Sequence, residues 1–249
     1  MSGHSKWSTI KHKKAATDAK RGKVFTRLNK EITMSAREGG GDPVTNVRLR
    51  LAIDKARAAN MPKDNIERAL KRGTGELEGG QLDEVIYEGY APHGIGVLIE
   101  VVTDNRNRSV AEVRHIFNKQ GGNMAEAGAV SWQFTRKGFI SISDEFDPDE
   151  VFLVAVDAGA DDVEILDSVA EIYTDLDNLQ AVRSALEDAG YGLSEVSVIY
   201  DPISQIGLET QQTLQVMRLV EVLEDLDDVQ NVYTALEISD EAMSVLEAA

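Results

Sequence analysis

The chain of 249 residues contains no cysteine, so disulfides, thiol nucleophiles and Cys-based zinc sites are excluded. It has only five prolines, and they read as punctuation between elements. No apolar run approaches the roughly 18–20 residues that a membrane helix needs. The opening MSGHSKW lacks the apolar core of a secretory signal. A cytoplasmic protein without a membrane partner is expected. Basic residues are scarce over most of the chain: from Gly138 onward only Arg183 and Arg218 stand against 27 acids.

What is present is charge of opposite sign at the two ends. The net charge is −17, yet residues 1–73 carry +11 and residues 74–249 carry −28. Nine Lys or Arg lie between Lys6 and Lys30, opposed by Asp18 and no other acid before Glu31. Such density is the footprint expected for phosphate contact. The acidic remainder would repel a polyanion and suits a protein or cationic partner.

Periodicity divides the chain. Residues 1–22 form a basic arm with Trp7 and Ile10 as its large apolar groups. Residues 23–75 predict a three-helix domain: a helix from about Lys23 to Arg37, a second opening at Asp42-Pro43 and running to Ala59, and a third over Lys63 to Arg72. The period then changes to two. Strands are predicted at Val85–Tyr90, Gly96–Thr103 and Ala129–Thr135, with a helix over Ser109–Gln120 between the last two. Residues 138–205 read as βαββαβ, the ferredoxin-like order, with its first strand at Phe139–Ser143. A helix over Thr210–Leu226 and a strand over Val229–Leu236 follow. Residues 76–137 and 206–249 close no sheet separately, so they are expected to form a second α/β domain interrupted by the third. The fold class is therefore α+β multidomain: a helical domain, then two ferredoxin-like α/β domains, the third inserted in the second. The rival is one large mixed sheet.

Two segments are candidate binding sites. In the arm and first helix, Lys6, Lys11, Lys13, Lys14, Lys20, Arg21, Lys23 and Arg27 would contact phosphates, with His12 among them and Trp7 free to stack on a base or anchor the arm. The alternative is that these cations pair with the protein's own acids. The second candidate is Thr103 to Ser109, a strand-to-helix turn bearing Arg106 and Arg108 where free N–H groups favour anions; the competing reading is a capped helix start with exposed arginines.

Other patterns carry little. Arg136-Lys137-Gly138-Phe139 imitates the start of an RNA-recognition signature but departs from it at once, on the first strand of its unit rather than the third. His4, His12, His93 and His115 have no metal-ligand spacing. Among 43 acids, pairs such as Asp161-Asp162 are uninformative, and no phosphate loop, dinucleotide fingerprint or nucleophile elbow occurs. Neither catalysis, a cofactor nor a metal is expected.

The segments GHSKW, IKHKKAATDAKRGKVFTRLNKEI, NMPKDNIERALKRGTGE, YEGYAPHG, TDNRNRSVAEVRHIF and EDLDDVQNVY resemble the YebC/PmpR family over nearly the whole length. Departures sit in the turns Ala91–Gly94 and Met124–Gly128, where relatives are glycine-richer. The resemblance implies a helical domain and two α/β domains, one inserted in the other. It also implies a non-catalytic regulator of gene expression that binds DNA in transcription control. Mitochondrial members are translational activators, so a ribosome- or rRNA-associated factor in translation is the alternative. An acidic protein-interaction adaptor is a second one.

Overall fold

The structure is a computed structural model that describes residues 18–78, 80–143, 145–166 and 169–248. Among the described residues three helices come first: α1 (Asp18–Gly39), α2 (Val47–Ala58) and α3 (Lys63–Gly73). They bury Ile32, Leu49, Ala52, Ala56 and Ala69 in a small core. Gly73 lets α3 touch α1, because a Cβ there would lie 2.5 Å from the Thr33 carbonyl oxygen and 2.6 Å from Ala36 Cβ. Two boundaries differ from the sequence reading. The first helix is already formed at Asp18, the first described residue, so the end of the presumed arm is helical. The second begins at Val47 rather than Pro43. Buried Asn46 sets that start: its Oδ1 accepts from Leu49 N, while its amide donates to the carbonyls of Ser35 and Gly40. Asp42 instead closes a turn through Val44 N.

Two four-stranded sheets follow, so the single mixed sheet is ruled out. The first has the order β3 (Asn123–Ala125), β1 (Asp83–Tyr90), β2 (Gly96–Thr103), β9 (Val229–Thr234), all neighbours antiparallel. The helices α4 (Arg106–Lys119) and α7 (Thr210–Glu224) cover one face, where Val97, Ile99 and Val101 meet Val113, Phe117, Leu219, Val220 and Leu223. The second sheet has the order β5 (Ala160–Leu166), β6 (Val169–Thr174), β4 (Phe134–Ile142), β7 (Glu195–Pro202). With α5 (Pro148–Asp157) and α6 (Leu179–Asp188) it makes the expected ferredoxin-like unit. It lies between β3 and β9 in sequence, while β9 pairs with β2. A two-stranded parallel pair, β8 (Ile206–Gly207) with β10 (Leu236–Glu237), and α8 (Asp240–Ala248) complete the fold.

The expected strand Ala129–Thr135 does not form. Ser131–Gln133 is a 3-10 turn, and the short edge strand is Asn123–Ala125 instead. Buried Glu88 is the reason: its carboxylate accepts from the N–H groups of Gly128, Val130 and Ser131, which curls this segment away from the sheet. The next strand, β4, is continuous where the sequence suggested two pieces.

The free faces of the two sheets meet each other. Leu98 and Tyr233 from one pack on Phe139, Tyr173 and Ile199 from the other, with the Tyr200 and Tyr233 rings edge-on at 5.4 Å. This explains why β2 reads as a nearly continuous apolar run: it is covered on both sides.

Candidate nucleic-acid interface

Helix α1 places Lys23, Arg27 and Lys30 at spacings of four and three, hence on one face. Leu28 and Ile32 point to the core. The cationic face meets residues 224–228, the turn between α7 and β9. The Lys23 ammonium donates to the Asp225 carbonyl at 3.0 Å and to its Oδ1 at 3.1 Å. Lys30 donates to the Asp227 carbonyl at 2.9 Å and to Asp228 Oδ1 at 2.6 Å. Arg27 is half-buried between them; burial lowers its pKa against the opposing fields of Glu224, Asp225 and Asp227. The α7 C-terminus adds its partial negative charge to these carboxylates.

Asp228 is the centre of this contact. Besides Lys30, it accepts from Arg108 Nη2 at 2.7 Å, Ser109 Oγ at 2.6 Å and Thr103 Oγ1 at 2.9 Å. Burial would push this carboxyl up, but the four donors hold it well below the ordinary aspartate range. The second candidate segment is thus drawn into the same network. Asn105 caps α4 by accepting from Arg108 N, and Arg106 Nε donates to Asp83 at 2.9 Å. Arg108 also holds Asp104. Both arginines are ion-paired, and the helix start is occupied by its own cap.

Of the remaining sequence candidates, Lys6, Trp7, Lys11, His12, Lys13 and Lys14 lie outside the described residues. Lys20 and Arg21 fall on the first turns of α1. The structure therefore brings together Lys23, Arg27 and Arg108 around one acidic turn, and sets Arg106 beside it on Asp83.

Three cations that the sequence reading did not single out are exposed instead. Arg68, Lys71 and Arg72 cluster on the outer face of α3, opposite buried Ile66 and Ala69, and make no ion pair with described residues. The signal was present in ERALKR, spaced three and four apart. It was overshadowed by the denser arm. A four-residue turn, Ala59–Pro62, joins α2 to this helix, with Asn60 left-handed at φ 57°.

A second polar site, at the junction of all three units, was also missed. Lys55 on α2 lies 4.0 Å from both Glu31 on α1 and Glu195 on β7. Burial alone would lower this lysine's pKa, but Glu31, Glu195 and Glu100 together raise it. Glu100, the one acid in the apolar run of β2, accepts from Asn231 and the Tyr233 hydroxyl, and burial pushes its pKa up. Flanking it, Arg48 holds Glu84 and Glu38, and Arg183 holds Asp54. These residues are charge links between domains.

His93 Nε2 lies 2.8 Å from Gln215 Oε1, and His115 is exposed on α4. Among the described residues no three His, Cys, Asp or Glu side chains group as metal ligands, and no helix is long and apolar enough to cross a membrane. Arg136–Phe139 lies on β4, whose Phe139 is buried against the neighbouring sheet. A sheet face covered in this way offers no platform for bases.

The comparisons with known proteins agree along the whole chain. The profile described as TACO1/YebC protein N-terminal domain matches residues 5–76, and that described as TACO1/YebC second and third domain matches residues 82–236. A protein of Trichlorobacter lovleyi is 54% identical over 98% of this chain and 98% of its own. One of Geobacter sulfurreducens is 54% identical over 99% and 100%. Both are named probable transcriptional regulatory protein. The crystal structure of a conserved hypothetical protein from Aquifex aeolicus superposes with a TM-score of 0.83 at 46% identity, over 90% of this chain and 93% of that one. The chain belongs to the TACO1/YebC family, whose curated relatives are named as transcriptional regulators.

Proposed function

We propose that the protein is a non-catalytic, nucleic-acid-binding regulator of gene expression that grips DNA phosphates with its N-terminal arm and helical domain. The observation that carries this reading is the outer face of α3, where Arg68, Lys71 and Arg72 are exposed and make no ion pair with described residues. It belongs to the domain that carries the arm. The 36 acids after residue 73 would repel a polyanion from the rest of the chain. An exposed cationic helix of 11 residues, about 16 Å long, entered by a short turn from a preceding helix, suits a duplex groove or its phosphate edge. The names of the relatives support control at the level of transcription. Lys23, Arg27 and Arg108 enter this reading as reserve cations, because each is engaged by the turn at residues 224–228.

The test is fluorescence anisotropy with a 30-base-pair DNA duplex and a 30-nucleotide single-stranded RNA, between 50 and 300 mM salt. The full chain is compared with a variant lacking residues 2–17 and with Arg68→Glu/Lys71→Glu/Arg72→Glu. If about 4–8 phosphates are neutralised, affinity falls with a log–log salt slope of roughly −3 to −7, and both variants flatten it. Tighter binding to RNA would move the reading to translation. Binding that survives both changes with an unchanged slope would overturn it.

A further inference from the structure

We infer that α5 of the third domain is a docking surface for a cationic amphipathic segment of a partner protein. Helix α5 is held to its sheet by Val151 and Ala155, both fully buried. On the opposite side it exposes three large apolar side chains: Phe152 at 48%, Leu153 at 61% and Val156 at 43% relative exposure. Spacings of three and four put them on one stripe. Surface helices of soluble domains normally turn charge outward there, and clustered exposed apolar groups mark interaction sites. Phe152 is of an aromatic type enriched at interfaces.

Beside the helix start lies an open groove of about 490 Å³ lined by Glu145, Phe146, Asp147, Pro148, Glu150 and Tyr191. Asp147 caps α5 by accepting from Asp149 N and Glu150 N, and Glu150 is hydrogen-bonded to Tyr191. With Glu145 they set negative charge next to two aromatic rings, the chemistry that receives a lysine or arginine head group, by charge and by the ring face. From Asp147 to Leu153 is about 9 Å along the helix. One short segment therefore reaches both the groove with a cation and the stripe with apolar side chains.

Charge selects the occupant. Residues 138–205 contain 17 Asp or Glu and a single basic residue, Arg183. A phosphate backbone or an anionic lipid surface is repelled from this face. A protein segment with Lys or Arg flanking apolar residues is attracted and steered to it. The inference is independent of nucleic-acid binding: one polyanion-facing end, one polycation-facing end.

The experiment uses the full chain, 15N-labelled, titrated with a synthetic 18-residue peptide of Leu and Lys at helical spacing. A scrambled peptide of the same composition serves as control. Saturable binding is expected, with amide shifts confined to residues 145–157 and 191. Phe152→Ser/Leu153→Ser should weaken it at least tenfold, and Glu150→Gln should reduce its salt dependence. Both variants should keep the wild-type melting temperature and DNA affinity, since the altered side chains are exposed. Equal binding of the scrambled peptide, or shifts spread over every acidic surface, would show charge attraction alone and overturn the proposal. So would self-association in sedimentation that Phe152→Ser/Leu153→Ser abolishes, because the occupant would then be a second copy of the chain.

Discussion

Lys30 on the first helix and Asp228 just before β9 meet at 2.6 Å, with side-chain exposures of 15% and 7%. The pair joins the helical domain to the domain that completes its sheet almost 200 residues later. Its partners Arg108, Ser109 and Thr103 leave the carboxylate fully satisfied. Removing one member strands the other. Asp228→Ala is expected to cost about 3 kcal/mol, the scale for breaking a mostly buried pair. Asp228→Asn, which keeps the shape and some hydrogen bonds, should cost less. Urea denaturation of the two variants checks the order.

Acid should unfold the protein through specific carboxyls. Asp228 is held low by its donors despite burial, and Glu88 is held low by the N–H groups of Gly128, Val130 and Ser131 despite burial. A depressed folded-state pKa gives stability that is complete above the unfolded value, near 4, and is lost as pH falls through the folded one. The urea midpoint is therefore expected to hold from pH 7 to about 5 and to fall below about 4. Glu88→Gln should be destabilised at pH 7 and show a shallower fall. Glu100, whose pKa is raised by burial, works with the opposite sign: its contribution is present at low pH and lost as pH rises through its folded value.

On the proposed function, the acidic turn competes with nucleic acid for α1. Asp225 is 69% exposed at its side chain, so Asp225→Asn should leave the fold intact while removing the ion pair to Lys23, which keeps the backbone carbonyl as acceptor. Affinity for duplex DNA is then expected to rise two- to fivefold at 50 mM salt, with a steeper salt slope by up to about one. At 300 mM salt the difference should vanish by screening. An unchanged affinity would mean that the Asp225 charge does not hold Lys23 back from phosphate.

Gly73 is fixed by contact rather than by backbone freedom. A methyl group there would meet the Thr33 carbonyl at 2.5 Å and Ala36 at 2.6 Å. Gly73→Ala is expected to push α3 off α1 at a cost of about 1–3 kcal/mol. It should also weaken DNA binding, because α3 carries Arg68, Lys71 and Arg72. Thermal melting together with anisotropy separates the two effects.

Much of this protein was legible in one dimension. The change of period near residue 80, the βαββαβ order, and an α7 and β9 left over at the end were enough to read a domain interrupted by another, since local periodicity reports which face of each element is buried. Charge segregation was equally plain. Tertiary structure alone decided which cations are available. Lys23, Lys30, Arg106 and Arg108 looked like the free arm and loop, but their partners Asp225, Asp228, Asp83 and Asp104 include acids from distant segments that only folding brings near. Arg68, Lys71 and Arg72 looked ordinary and emerge exposed and unpaired by described residues. The junction around Lys55 and Glu100 was invisible for the same reason. Composition fixes how much charge a chain carries, whereas three-dimensional proximity fixes how much of it is left to meet a ligand.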